Sequence, residues 1–267
     1  MRVRFVIAAL LVLLTDGRLM WAADVSDLAV TPGLSAVQYS DIGNDLLNEG
    51  DYKGAKRYFD AAIRIRPDLW PAYYNRAVLF QVQKNYAAAL QDLNTTIKLE
   101  PAFFLASYTR ALVYIEVGNY AAALKDLDLL ARLTVQVEEP GHFCIILNER
   151  ARLRATCPDR AFRNGQLAIA DARKACELGH WKTSRWVDTL AAAYAEAGDF
   201  DSAVRTEDQA INLVKSGRDE TWEIPGHPLS PKAAKRAAQL GQQALAGFIE
   251  RHELYKQHRP YHEKSTR

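Results

Sequence analysis

The sequence predicts an all-α solenoid of antiparallel helical hairpins, closed by a C-terminal capping helix. Three observations carry the prediction. A Gly-Asp/Asn-aromatic string followed by an Ala-rich apolar stretch recurs along the chain, three copies (one with Lys in place of Gly) start 34 residues apart at 50, 84 and 118, and small residues fall in register at that interval. With 267 residues, 49% of them hydrophobic, the chain has the apolar material for such an array.

The first element is a targeting segment. Arg2 and Arg4 precede an apolar run from Phe5 to Leu14, broken at Thr15, Asp16 and Gly17. Ten residues are too few to span a bilayer as a helix. Residues 1–23 therefore read as an export signal, cut after Gly17 or after Ala23 or retained as an N-terminal anchor, and the chain is expected to be exported to a periplasmic or secreted location. Residues 24–35 read as a linker.

Three regular hairpins follow, at 36–69, 70–103 and 104–137. Their turns are marked by Gly50-Asp51-Tyr52, Lys84-Asn85-Tyr86 and Gly118-Asn119-Tyr120. Gly43, Ala77 and Ala111 are expected in the first helices where the two helices of a hairpin cross closely, faced by Ala55, Ala89 and Ala123. Pro67 and Pro101 close the first two units, since proline ends a helix and starts a turn. Tyr52, Tyr86 and Tyr120 are expected to pack beneath the turns.

These positions resemble the tetratricopeptide-repeat family, whose unit length is 34 residues. The resemblance extends through a degenerate fourth unit at 144–182 and a fifth at 184–217. The fifth has Ala191, Gly198, Asp199, Phe200, Ala203 and Ala210 in place. In the fourth, Ala151 and Ala168 lie 17 residues apart rather than 12, the excess falling in the turn from Cys157 to Gly165. The strings Asn148-Glu149-Arg150-Ala151, Ala155-Thr156-Cys157-Pro158-Asp159 and Asp188-Thr189-Leu190-Ala191 look like the C-terminal part of exported bacterial tetratricopeptide proteins.

After a linker at 218–229, Ser230-Pro231 reads as an N-cap and first helical residue. Ala233, Ala237, Leu240, Ala244, Leu245, Phe248 and Ile249 then recur at helical spacing, predicting a capping helix over 230–257 and a tail over 258–267.

Charge narrows the function. Without residues 1–23 the chain holds 31 basic and 31 acidic residues, which argues against general nucleic-acid binding. From Ser230 onward, eight Lys or Arg stand against three Glu. No Gly-rich phosphate loop, Gly-x-Ser-x-Gly elbow or Cys-x-x-Cys is found, so no enzyme and no cofactor is expected. His258 and His262 have helical ligand spacing but flank Pro260, and they are read as a solvated pair rather than a metal site. Pro140-Gly141-His142 and Pro225-Gly226-His227 read as turns ahead of helices. Cys144 and Cys176 lie at adjoining ends of the fourth hairpin, where an oxidising compartment would allow a disulfide that leaves Cys157 free; otherwise the thiols are small buried hydrophobes.

The resemblance implies a right-handed superhelix whose first helices line a concave groove for an extended peptide or a partner helix. It implies Asn44, Tyr74, Asn75, Tyr108, Arg152 and Asp188 as groove residues. Asn44 and Asn75 match the asparagines of a carboxylate clamp known in the family, but Ser40, Leu105 and Thr109 replace its basic residues and Arg110 stands one position late. The chain is thus expected to be a non-catalytic scaffold for unidentified protein partners. The alternative is a membrane-surface or polyanion binder acting through the basic C-terminal helix.

Overall fold

The computed structural model describes residues 33–134, 140–219 and 231–264, without the side chains of Thr134, 140–142 and 231–238. The targeting segment, nearly all of the linker that follows it, the Ser230 cap and the 225–227 turn lie outside the described residues.

Five hairpins stack in chain order: α1 (Ala36–Glu49) with α2 (Tyr52–Ile65), α3 (Trp70–Val82) with α4 (Tyr86–Leu99), α5 (Phe104–Glu116) with α6 (Tyr120–Thr134), α7 (Pro140–Thr156) with α8 (Gly165–Leu178), and α9 (Ser184–Glu196) with α10 (Phe200–Lys215). Helix α11 (Pro231–Lys256) packs mainly on α10. Helices α1, α3, α5 and α9 begin at the residues the 34-residue frame assigns. Helix α7 begins earlier than expected, because Pro140 and Gly141 form its first turn instead of a turn before it, where proline costs no hydrogen bond.

The recurring string has a complete local explanation. Gly50, Gly118 and Gly198 take left-handed backbone (φ +88°, +75° and +84°) just past the first helix. The next residue's N–H then reaches back to close the helix: Asp51 to the Leu46 carbonyl at 2.9 Å, Asn119 to Tyr114 at 2.8 Å, and Asp199 to Tyr194 at 3.0 Å. The same Asp or Asn caps the second helix, as when Asp51 Oδ1 accepts from the Gly54 N–H at 2.9 Å and Asp199 Oδ1 from Ser202 at 3.0 Å. Lys84 makes the equivalent turn at φ +58°, where its Cβ is disfavoured.

The aromatic third residue behaves differently from repeat to repeat. Tyr120 is buried and lies 5.7 Å from the Phe162 ring. Tyr86 is half-buried, its hydroxyl donating to Glu116 at 3.3 Å. Tyr52, expected beneath its turn, is exposed instead.

Within the hairpins the small residues are buried as expected, and Gly43 is met most closely by Phe59. A Cβ built on Gly43 would lie 2.6 Å from the Phe59 ring. The residues one and two repeats beyond Phe59 are Leu93 and Leu127, each buried in one cluster with Ala77 or Ala111. The first hairpin thus pairs a glycine with a phenylalanine where the second and third pair an alanine with a leucine, conserving the volume of the crossing.

A ladder of arginines locks neighbouring hairpins. Arg76 on α3 donates bidentately to Asp92 on α4 at 2.7 and 2.8 Å, and through Nη1 to Asp60 on α2 at 2.5 Å. Arg110, one repeat later, grips Asp126 at 2.7 Å through both Nε and Nη2 and reaches back to Asn94 at 2.7 Å. In the fourth hairpin, Arg150 and Arg154 both bridge Asp128 and Asp171. Each rung ties one second helix to the next through the first helix between them, and the forked guanidinium suits it to two partners.

Candidate functional site on the concave face

First helices touch the first helices of neighbouring hairpins, α1 with α3, α3 with α5 and α7 with α9, whereas no second helix packs comparably on the next second helix. The first helices therefore form the inner face of the curve. No comparably close contact joins α5 to α7, and there a cavity of about 670 Å³ opens. Its walls come from α5, α7, α9, α11 and the C-terminal tail.

Three of the six expected groove residues meet in this cavity: Tyr108, Arg152 and Asp188. Tyr108 is half-buried, and burial, followed by the Glu149 charge, pushes its phenol well above the usual tyrosine range. The ring therefore stays neutral and offers its hydroxyl as donor or acceptor. Beside it, the Asn148 side chain is buried and its Oδ1 has no hydrogen-bond partner.

Arg152 is held between two carboxylates, Glu149 on its own helix at 2.8 Å and Glu263 from the tail. The attraction of Glu149 is the largest influence on the guanidinium, which stays charged although half-buried. Asp188 accepts from Arg251 Nε on α11 at 2.5 Å. Below them Glu207 is fully buried, with Arg251 Nε at 3.9 Å. Burial, and secondarily the Asp188 charge, raise Glu207 far above the carboxylate range, so it is neutral at neutral pH.

The other three groove residues are elsewhere. Asn44 is exposed on α1 and Asn75 half-buried on α3. Tyr74 packs in the seam between hairpins, edge-on to Phe103 at 4.9 Å, with its hydroxyl 3.4 Å from Thr109 Oγ1. Thr109 itself is buried, and Arg110 is spent on the ladder, so the clamp positions present no cation here.

The C-terminal elements depart most from expectation. The tail folds back into the array instead of extending into solvent. His258 stacks on Phe200 at 5.2 Å, and His262 Nε2 lies 2.7 Å from Glu196 Oε2, so the two histidines serve separate contacts and are not brought together. The Glu263 N–H donates to the Thr156 carbonyl at 2.8 Å. On α11, Arg251 is turned inward to Asp188 and Lys256 is paired with Glu253, which removes part of the basic face read from the sequence. The sequence signal for Arg251 was its place among the inward apolar positions of α11, three residues after Phe248.

Cys144, Cys157 and Cys176 are buried in this structure, and burial raises the thiol of each above its usual range.

Comparison with known proteins follows this architecture. The family model "tetratricopeptide repeat" matches residues 39–69, within the first hairpin. Among solved structures, MamA from Desulfovibrio magneticus superposes with a TM-score of 0.55 at 18% identity, over 70% of this chain and 98% of that one. PilF of Pseudomonas aeruginosa gives 0.57 at 14% identity, over 83% and 92%. YrrB, described as a tetratricopeptide protein with an unusual peptide-binding site, gives 0.50 at 17% identity, over 77% and 92%. No curated protein matches the chain. The chain accordingly has the fold of a tetratricopeptide-repeat solenoid, all-α with five hairpins among the described residues and a capping helix, and its first hairpin matches the repeat model.

Proposed function

We propose that the protein is a non-catalytic scaffold that holds an extended segment of a protein partner on its concave face, centred on the cavity between α5, α7, α9 and α11. One observation carries this reading. The cavity gathers a neutral tyrosine hydroxyl, a buried asparagine oxygen without a partner, and a charged arginine, which are groups that recognise peptide backbone and carboxylate. The likeness to YrrB is consistent with it, being a likeness of fold. Export through residues 1–23 belongs to the same proposal and places the partners in the cell envelope or outside it.

Capture of partners by the tagged full chain from its native cells tests the site. Tyr108→Ala is expected to reduce capture while circular dichroism stays that of the wild type. Capture that persists in the folded variant and disappears between low and high salt would move the site to the basic C-terminal helix.

A further inference from the structure

The last described residues, 259–264, form no helix or strand, and the side chains of 261–263 turn alternately to two sides. Tyr261 and Glu263 line the cavity, while His262 between them faces the other way, toward Glu196. Tyr261 places its ring 5.3 Å from the Arg251 guanidinium, and Glu263 binds Arg152. Outside the cavity the segment is pinned by one backbone hydrogen bond, to Thr156 at the end of α7, by the His262–Glu196 contact and by the His258–Phe200 stack. Two of the three arginines lining the cavity, Arg251 and Arg152, are thus met by side chains from the tail, in a spacing that an extended peptide reproduces with an aromatic residue at i and a carboxylate at i+2.

We propose that the tail is a tethered occupant of the concave site, and that the partner segment which displaces it is an extended peptide bearing an aromatic residue two positions before an acidic one. The inference rests on the reading of this face as a peptide site and specifies what that site takes. The aromatic residue replaces Tyr261 over Arg251 and the acidic one replaces Glu263 on Arg152. Tethering gives the tail an effective concentration on the order of millimolar, which the partner must exceed to enter. Asn148 Oδ1 and the Tyr108 hydroxyl remain available to the incoming backbone.

A labelled synthetic peptide spanning Gln257–Lys264, titrated into the full-length chain by fluorescence anisotropy, tests this. The double variant Tyr261→Ala/Glu263→Gln, which removes the tail's two contacts to the cavity arginines, should bind the peptide at least about ten-fold more tightly than the wild type. A peptide with Gln in place of its Glu should lose about ten-fold on the same protein, the worth of one hydrogen bond to a charged group. If the double variant does not fold, the single variant Glu263→Gln should give the same order with a smaller ratio. Equal binding by wild type and double variant, no binding by a folded double variant, or indifference to the Glu-to-Gln change would each overturn the proposal. If the peptide fails while crosslinkers at Tyr108 still capture a partner, this inference falls and the groove reading stands.

Discussion

Gly43→Ala should destabilise the protein although alanine is the better helix former. The added methyl would sit 2.6 Å from Cε1 and 2.8 Å from Cδ1 of Phe59, whereas carbon pairs rest at about 3.5–4.0 Å. The ring must therefore yield by about 1 Å, and it is fully buried in a cluster with Ala55 and Leu79. Overpacking of this kind costs about 1–3 kcal/mol. Alanine returns about 1 kcal/mol of helix propensity, leaving a net loss of about 0–2 kcal/mol. Phe59→Leu alone leaves a void and should also cost about 1–2 kcal/mol. The double variant restores the Ala–Leu pairing of the second and third hairpins, so the two changes together should cost less than their sum by about 1–3 kcal/mol. Urea denaturation of the four proteins, followed by circular dichroism, measures the cycle. Additivity within about 0.5 kcal/mol, or a Gly43→Ala protein more stable than the wild type, would refute the volume-exchange argument.

Other outcomes follow from the same geometry. Arg110→Met strips two hydrogen bonds from the buried Asp126 carboxylate and should cost about 2–4 kcal/mol in chemical denaturation, toward the lower end because the guanidinium is one-fifth exposed. Lys84→Gly relieves a left-handed backbone and should raise stability by about 0.5–1 kcal/mol, seen as a higher melting temperature. Glu207 has a folded-state pKa above its unfolded value, so its contribution is full below the unfolded pKa and is lost as pH rises toward the folded one. Wild type should therefore lose stability relative to Glu207→Gln as pH rises from about 5 to 9, by at most about 1.4 kcal/mol per pH unit; parallel melting curves across that range would contradict the buried neutral acid.

The array was legible in the sequence because each hairpin is a local object. Turn glycine, capping Asp or Asn and buried alanine lie within a dozen residues of one another, and their partners recur one repeat on. The ladder was legible in principle, since Arg76 and Arg110, Asp92 and Asp126, and Asp60, Asn94 and Asp128 all keep the 34-residue interval. It was missed because charges at that spacing also describe a solvated face. The site was half legible. Tyr74 and Tyr108 occupy the same position in successive repeats, yet Phe103 at the end of the second unit and Thr109 of the third hairpin cover Tyr74, while Tyr108 faces the cavity between α5 and α7. The tail contact was not legible at all. Arg152 and Glu263 are 111 residues apart and belong to no repeat, so no periodicity links them.

The central claim is that partners are held on the concave face, and site-specific photo-crosslinking in intact cells tests it most directly. A photoreactive residue is placed in the full-length chain at Asn75 or Tyr108 on first helices, at the exposed Lys98 on the second helix α4, or at the exposed Lys256 on α11. The account predicts a discrete partner adduct from Tyr108 and Asn75 and none from Lys98. Adducts from Lys256 or Lys98 with none from Tyr108 would contradict it.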